Sequence, residues 1–322
     1  MSGGKTRDIV NGLNMSKMKI SDLGEWGLIN LIDKKIKIKD KSVIKGIGDD
    51  TAVLKFDKKN YMLFTTDSLV EKDHFDLKWI SPEQIGKKSI ESNVSDIASM
   101  GGFPKYALVS LSVPKNTKVN FIKELYDGIN KAAKKYNLSI VGGNLSRSKQ
   151  INVHVSLIGF VEKERLCLRS HAKVGDLICV TGKIRKTAKS SSVRNYLKPT
   201  AKLKQARLLS KAGVNAMQDV SDGLGSEIKA ICDESKTGAF IFKERLPKIT
   251  KKNSMNLDKW APYVDYLELV FTIPKNKLKK IRKSKTIFSI IGEIKNKKQG
   301  IFLIDKNKKT KLKSGYDHFL NS

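Results

Sequence analysis

The chain has 322 residues, of which 39% are hydrophobic, and these values predict a globular protein of about two domains. A formal net charge of +31 raises the question of a nucleic-acid partner. The basic residues are 54 lysines and nine arginines spread through every segment, whereas nucleic-acid interfaces favour locally clustered arginine. We therefore interpret the charge as a lysine-rich surface, and a nucleic-acid partner is not expected.

The cysteines and the hydropathy pattern indicate the compartment. Cys167, Cys179 and Cys232 lie far apart, a spacing that favours neither a disulfide framework nor a zinc knuckle and suits a reducing cytoplasm. Apolar runs stay shorter than the roughly 18 residues that a membrane span requires, so no membrane association is expected. Residues 1–18 have the composition of a flexible N-terminal extension, and Met15 is an alternative start.

The predicted elements of the first half mix strands and helices without strict alternation. This pattern favours an α+β fold of two layers over a doubly wound parallel sheet. Ser81 before Pro82 is a strong helix start, and Gly142-Gly143-Asn144 is expected to form a turn after a strand. In chain order we expect strands at 51–56 and 61–65 with Asp67 at the strand end, helices at 82–100 and 119–136, and strands at 139–141 and 151–160.

A second domain is expected to follow the strand that ends near residue 160. We place the boundary so that the N-terminal domain covers 19–161 and the C-terminal domain covers 162–322. The elements expected in the second domain are a strand at 176–182, a helix near 201–212, a turn at 217–223, and strands at 238–243, 267–273, 287–291 and 300–304.

Five short polar segments are placed where strands or helices are expected to end. Asp, Asn and Thr oxygens are hard ligands that suit Mg²⁺, so in a basic chain the set predicts a metal and phosphate site. One such segment alone is equally well explained as a turn or a helix cap. The segments are Gly46-Ile47-Gly48-Asp49-Asp50, Thr65-Thr66-Asp67-Ser68, Asn93-Val94-Ser95-Asp96, Gly142-Gly143-Asn144 and Asp219-Val220-Ser221-Asp222-Gly223.

These segments, together with His74-Phe75 and the terminal Gly315-Tyr316-Asp317-His318-Phe319, resemble the thiamine-monophosphate kinase family. That family belongs to the aminoimidazole-ribonucleotide synthetase superfamily. The resemblance implies a two-domain homodimer with mixed sheets flanked by helices, whose N-terminal domain binds ATP and Mg²⁺ and forms the dimer. It also implies ATP-dependent phosphorylation of thiamine monophosphate to thiamine diphosphate on several Mg²⁺ ions.

The resemblance also implies roles for individual residues. The implied Mg²⁺ ligands are Asp50, Thr65, Thr66, Asp67, Asp96, Asn144, Asp219 and Asp222. The implied ATP-binding residues are Tyr126, Gly143, Asn144, Arg169 and Ser221. The implied substrate-binding residues are His74, Asp265 and Phe319. No catalytic nucleophile or dedicated base is expected, because the acceptor phosphate has a second pKa of about 6 and is already largely anionic at neutral pH.

Two positions depart from the family pattern and leave alternatives open. Asp265 stands where a longer Glu is usual, and Asn144 stands where many members have Asp. The alternatives are a same-fold ATP-dependent enzyme with another small phosphorylated substrate, a weakened catalyst, and a basic nucleic-acid-binding homologue. Asp49 is interpreted as a turn residue, while Tyr126 suits packing as well as ATP binding and His74 suits a surface imidazole.

Overall fold

A computed structural model describes residues 18–182, 199–246, 267–283 and 286–320. Within these ranges the chain forms two mixed sheets flanked by helices, which confirms the predicted α+β class. Short 3-10 turns cover 163–165, 169–171, 243–245, 275–277 and 297–299. The helices are α1 Ile20–Lys35, α2 Pro82–Ser99, α3 Val119–Tyr136, α4 Leu203–Ala212, α5 Leu224–Glu234 and α6 Leu278–Arg282.

The first sheet has the strand order β1-β2-β3-β6-β4-β5. Its neighbouring strands are antiparallel except β4 and β5, which are parallel. Helix α3 lies between these two strands in sequence and supplies the crossover that parallel pairing needs. The strands are β1 Val43–Lys45, β2 Ala52–Lys55, β3 Asn60–Val70, β4 Phe103–Val113, β5 Ser139–Arg147 and β6 Asn152–Glu162.

Helices α2 and α3 pack on one face of the first sheet. At the start of α2, Ser81 Oγ accepts a hydrogen bond from the Gln84 amide at 3.3 Å, and the Gln84 side chain accepts one from the Ser81 amide at 2.9 Å. This capping box fixes where the helix begins. The core beneath the helices includes the fully buried Leu63, Ile90, Ile97, Leu111, Leu125, Ile129 and Leu157. The polar residues near the end of α2 are thereby held against β3.

The second sheet has the strand order β13-β12-β9-β11-β7-β10-β8, in which β12 and β9 are the parallel pair. Helix α5 packs on it over a core that includes Ile178, Ile228, Ile231, Ile241 and Val270. The strands are β7 Leu177–Thr181, β8 Met217–Val220, β9 Thr237–Phe242, β10 Glu268–Ile273, β11 Phe288–Asn296, β12 Ile301–Asp305 and β13 Lys308–Lys311.

A third apolar cluster joins the two sheets. It places Ala98 of α2 with Leu209 of α4 and Phe271 of β10. Beside it, Arg207 donates two hydrogen bonds to the Glu162 carboxylate, at 2.6 and 2.7 Å, and a third to the Gly101 carbonyl at 2.7 Å. The sheets are therefore fastened together close to the end of α2, where the acidic segments of both meet.

Three expectations about element ends are wrong. Residues 217–220 of the expected turn at 217–223 form strand β8, which pairs with β10, so Asp219 lies inside a strand. Strand β3 continues from Asn60 to Val70, so Asp67 lies inside a strand. Strand β5 covers Ser139–Arg147, so Gly142-Gly143-Asn144 is part of the sheet and not a turn. A Cβ at Gly143 would lie 1.8 Å from the Val109 carbonyl oxygen, so glycine here permits close strand pairing.

The other predicted helices and strands are present with shifted ends. The two-domain boundary at 161/162 falls before the last residue of β6, Glu162, and stays a prediction. The proposed N-terminal extension lies outside the described residues apart from Met18. In the part of the chain that the structure describes, each helix is too short or too polar to cross a bilayer.

The Arg207 contact gives a stability prediction. Arg207→Lys loses the paired donation to Glu162, and we expect thermal denaturation to show a Tm lower by about 2–6 °C. The hydrogen bonds from Arg207 are the main cause that lowers the pKa of Glu162 to about 2. The contribution of these hydrogen bonds to the free energy of unfolding is present above the ordinary carboxyl pKa and is lost as the pH falls toward 2. The Tm difference between Arg207→Lys and the wild type should therefore become smaller in acid.

The control is Arg245→Lys, at an exposed arginine. Equal Tm shifts in both variants would refute the prediction.

Candidate active site

Four aspartates from separate elements converge between the two sheets. Asp50 lies in the bend before β2, Asp67 in β3, Asp96 near the end of α2 and Asp219 in the edge strand β8. The charges of Asp219, Asp67 and Asp50 all act on the Asp96 carboxyl. We call these four residues the acidic cluster. Its convergence is the arrangement that a shared metal site requires.

Thr65 fixes the orientation of Asp96. Its hydroxyl donates a hydrogen bond to Asp96 Oδ2 at 2.7 Å and also lies 3.3 Å from the Asp50 carbonyl oxygen. Thr65 can do this because alternate residues of a strand share a face, and Thr65 and Asp67 both lie on the core side of β3 beneath α2. The hydroxyl thus connects the helix to the bend that carries Asp50.

The electrostatics of the acidic cluster favour a bound cation. Burial, followed by the charges of Asp219, Asp67 and Asp50, raises the pKa of Asp96 well above its ordinary value. Asp50 Oδ2 is buried and has no hydrogen-bond partner within the described residues. Closely spaced carboxylate oxygens are the environment that a hard divalent cation stabilises. The donor set therefore fits Mg²⁺.

Arg169 provides positive charge at the edge of the acidic cluster. Its guanidinium pairs with Asp50, and its backbone amide donates to Asp49 Oδ2 at 3.1 Å. Burial and the neighbouring charge of Asp50 raise the pKa of Asp49 to about 7. Asp49 Oδ1 also accepts a hydrogen bond from the Asp50 amide at 3.2 Å. Its carboxyl group therefore binds backbone amides, as expected for a turn residue. The Trp26 ring lies 5.9 Å from the guanidinium carbon.

A second acidic group lies in the turn from β8 to α5. The Asp222 amide donates to Glu227 Oε1 at 3.0 Å, and the Ser221 hydroxyl lies 3.5 Å from the same oxygen. Burial and then the charge of Asp222 raise the pKa of Glu227 well above its usual value. Sequence reasoning missed Glu227, although an acid in the first turn of a helix that follows Asp-Gly is a usable signal.

Thr66 and Asn144 lie apart from the acidic cluster. Both are exposed on the face of the first sheet opposite α2 and α3, where Thr66 Oγ1 contacts the Val155 carbonyl at 3.2 Å and Ser156 Oγ at 3.1 Å. Strands β6 and β4 separate β3 from β5, so the two residues are also distant from each other. Of the implied ligands in the strands of the first sheet, Thr65 and Asp67 therefore lie on one face and Thr66 and Asn144 on the other.

The predicted ATP residues have mixed surroundings. Arg169 and Ser221 lie beside the acidic groups just described. Gly143 faces the backbone of β4, while Tyr126 is partly buried and packs against the first core. For Tyr126 the packing interpretation therefore matches its position in α3.

Two of the predicted substrate-binding residues, His74 and Phe319, lie near the C-terminal tail. His74 follows β3, and its ring centroid is 4.9 Å from that of His318. Phe319, the next residue, is 41% exposed, and its amide donates to Asp317 Oδ1 at 2.9 Å. Asp265 lies outside the described residues. Sequence reasoning missed Lys88, which is buried in α2 and donates to the His74 carbonyl at 3.4 Å.

Comparison with known proteins identifies the family of the chain. The family model for "AIR synthase related protein, N-terminal domain" matches residues 48–161. A thiamine-monophosphate kinase from Buchnera aphidicola subsp. Acyrthosiphon pisum (strain APS) is 37% identical over 92% of this chain and 98% of the relative. One from Bacillus subtilis (strain 168) is 33% identical over 92% of this chain and 100% of the relative.

Among solved structures, "AaThiL complexed with AMPPCP and TMP" is 31% identical, with a TM-score of 0.79 over 94% of this chain and 99% of that chain. The matched N-terminal domain and the relatives define an enzyme of the AIR synthase-related class. Within that class, the chain belongs to the thiamine-monophosphate kinase family.

The acidic cluster makes a prediction about stability. Deprotonation of Asp96 in the folded protein is unfavourable, so stability without divalent ions should fall as the pH rises through its raised pKa. Asp96→Asn removes this charge and keeps an oxygen for Thr65. In EDTA at pH 8 we expect a Tm about 2–5 °C above the wild type, and a smaller Tm increase when Mg²⁺ is added.

The control for this measurement is Asp57→Asn in the exposed turn before β3, where the side chain accepts local amides. This variant should keep the wild-type Mg²⁺ response. An Asp96→Asn protein with a lower Tm in EDTA and an unchanged Mg²⁺ response would argue against a metal site at the acidic cluster.

Proposed function

We propose that the chain transfers the γ-phosphate of ATP in line to thiamine monophosphate, giving thiamine diphosphate, on several Mg²⁺ ions held by the acidic cluster. The observation that carries the proposal is the convergence of Asp50, Asp67, Asp96 and Asp219 beside Arg169. Support for the substrates comes from the relatives named thiamine-monophosphate kinase and from the related structure described with AMPPCP and TMP.

The chemistry explains why carboxylates are needed in a protein that handles phosphates. Donor and acceptor are both anionic, so the main obstacle is their repulsion, and phosphoryl transfer depends mostly on positioning and charge neutralisation. Bound Mg²⁺ would neutralise phosphate oxygens and align the two groups. Because the acceptor oxygen is already largely ionised at neutral pH, the described side chains need not include a base.

The described residues divide this work by position. In the proposal, the acidic cluster holds the shared ions and Asp222 holds a further ion in the β8–α5 turn. Thr65 orients the Asp96 carboxylate through its hydrogen bond. Arg169 compensates charge at Asp50 and is placed to meet ATP phosphates, because a guanidinium pairs readily with planar and tetrahedral oxyanions. Ser221 adds a hydroxyl at the same edge.

In the proposal, Thr66 and Asn144 act from the other face of the first sheet, and His74 and Phe319 act from near the C-terminal tail. Thr66 and Asn144 would add oxygens on the exposed face, where Gly143 lets the backbone approach β4 closely. Tyr126 contributes through packing of α3. We assign His74, Phe319 and Asp265 to binding of thiamine monophosphate. The phenyl ring of Phe319 suits stacking on a flat cationic heterocycle.

A coupled assay for ADP tests the function. We expect ADP formation from ATP and Mg²⁺ to require thiamine monophosphate and not to occur with thiamine or with other small phosphomonoesters. Asp219→Asn should lower kcat by about 100-fold or more, because it removes a carboxylate that would hold the Mg²⁺ ions needed to neutralise the reacting phosphates. Asp305→Asn, an exposed carboxylate paired with Lys243, is the matched control. ADP formation that ignores thiamine monophosphate would rule the proposal out.

We also propose that the protein is a cytoplasmic homodimer, with residues 19–161 forming the nucleotide-binding and dimerising domain. The face of the first sheet opposite α2 and α3 supports this. Phe64 and Leu108 on that face are 46% and 49% exposed, and Tyr106 lies beside them. A second copy would cover these apolar side chains, because exposed apolar faces of this kind mark association surfaces.

The dimer proposal predicts a change of mass. A chain of 36.0 kDa gives a dimer of twice that mass, 72.0 kDa. Leu108→Lys places a charge on the proposed interface, and light scattering after gel filtration should then report the monomer. Ile287→Lys, at an exposed apolar residue before β11, should remain dimeric. Identical masses for wild type and Leu108→Lys would count against this interface.

A further inference from the structure

Asp73, His74 and His318 form a separate group that shares no residue with the acidic cluster. Asp73 Oδ2 lies 3.2 Å from His318 Nδ1 and 3.5 Å from His74 Nδ1. One ligand atom from each residue lies within 4.8 Å of the others. We call this group the histidine cluster. It is partly exposed, so an ion can reach it from solvent.

The hydrogen bonding of His74 identifies the nitrogen that can bind an ion. The Val70 amide donates to His74 Nδ1 at 3.2 Å, so this nitrogen carries no proton in the neutral ring. It lies 3.5 Å from Asp73 Oδ2. An imidazole nitrogen has one lone pair, so a cation bound between Asp73, His74 and His318 takes the place of the Val70 amide at this nitrogen.

The ligands are held in place by other parts of the fold. Lys88 donates to the His74 carbonyl at 3.4 Å. On the other side, Asp317 accepts the Glu25 amide at 3.1 and 3.0 Å, at the point where Gly24 of α1 has a positive φ of 67°. The tail residue before His318 is therefore fixed to α1. A site with prepositioned ligands loses less entropy when an ion binds.

The tail is also tied to the second sheet. The Tyr316 amide donates to the Asp222 carbonyl at 2.8 Å, and the Tyr316 ring packs edge-on against His318 with centroids 5.0 Å apart. His318 is thus supported on one side by Tyr316 and on the other by His74. These contacts keep its imidazole directed at Asp73.

The donor types select the class of ion. Two imidazoles and one carboxylate suit Zn²⁺ and similar transition metals, whereas Mg²⁺ prefers oxygen ligands alone. With bonds of 2.0–2.2 Å to a tetrahedral ion, ligand atoms are separated by about 3.3–3.6 Å, close to the two distances around Asp73. We propose that the histidine cluster is a binding site for Zn²⁺ or a similar divalent transition metal, distinct from the Mg²⁺ site.

Metal bound here would affect the proposed reaction. It would join the segment after β3 to the C-terminal tail and occupy His74, which the proposed function assigns to the substrate, next to Phe319. We therefore expect Zn²⁺ to inhibit by competing with thiamine monophosphate and not with ATP. This consequence rests on the proposed function, whereas metal binding at the histidine cluster does not.

Cobalt provides a direct test of binding, since Co²⁺ replaces Zn²⁺ and absorbs visible light. Co²⁺ is titrated into the full chain in excess Mg²⁺, which saturates the acidic cluster. We expect one equivalent to give the strong d–d absorption of a four-coordinate site with nitrogen ligands, reversed by Zn²⁺. His318→Gln and Asp73→Asn should each weaken binding at least about 10-fold. His171→Gln removes an exposed histidine elsewhere and should bind as the wild type does.

The outcomes separate the two proposals. If the strong absorption is missing, or persists unchanged in both His318→Gln and Asp73→Asn proteins whose Tm matches the wild type, the metal site is refuted. If the absorption appears but Zn²⁺ leaves the KM for thiamine monophosphate unchanged, the site stands and its inhibitory role is overturned. If ADP formation does not depend on thiamine monophosphate, the proposed function fails while the absorption result still decides the metal site.

Discussion

The structure depends on holding mutually repelling carboxylates together between two sheets. Asp50 and Asp67 come from the first sheet, Asp96 from the helix that covers it, and Asp219 from the edge of the second sheet. Burial, followed by the charges of the other three carboxylates, raises the pKa of Asp96, so the arrangement costs stability when no cation is bound. The third apolar cluster and the contacts of Arg207 fasten the sheets together next to this point and offset that cost. An unfavourable arrangement that the fold maintains in this way indicates a functional site.

The geometry of β3 determines which polar residues can act together. Thr65 and Asp67 lie on the core side with Asp96, and Thr66 lies on the opposite side with Ser156. Adjacent residues in one polar segment thus serve different faces of one sheet. The exposed face also carries the apolar residues assigned to a second copy. Thr66 and Asn144 therefore lie where the proposed partner would be, and the acidic cluster is built within one chain.

The sequence predicted the fold class and the main elements because hydrophobic periodicity and capping are local signals, as in α2 and α3. It also brought Asp50, Asp67, Asp96 and Asp219 together, through resemblance and ligand chemistry. It did not predict that β3 and β5 continue through their polar segments, because strand pairing depends on a partner distant in sequence. Glu227 and the histidine cluster were missed for the same reason, since burial of one acid and the proximity of His74 to His318 arise from tertiary structure.

The central claim is that the acidic cluster holds the divalent ions used in phosphoryl transfer. Its most direct test is a crystal structure of the protein with Mn²⁺ in place of Mg²⁺ and a non-hydrolysable ATP analogue, examined by anomalous scattering from manganese. The account predicts anomalous peaks about 2.0–2.3 Å from carboxylate oxygens of Asp50, Asp67, Asp96 and Asp219, with phosphate oxygens on the same ions. Manganese peaks that contact none of these four side chains would contradict it.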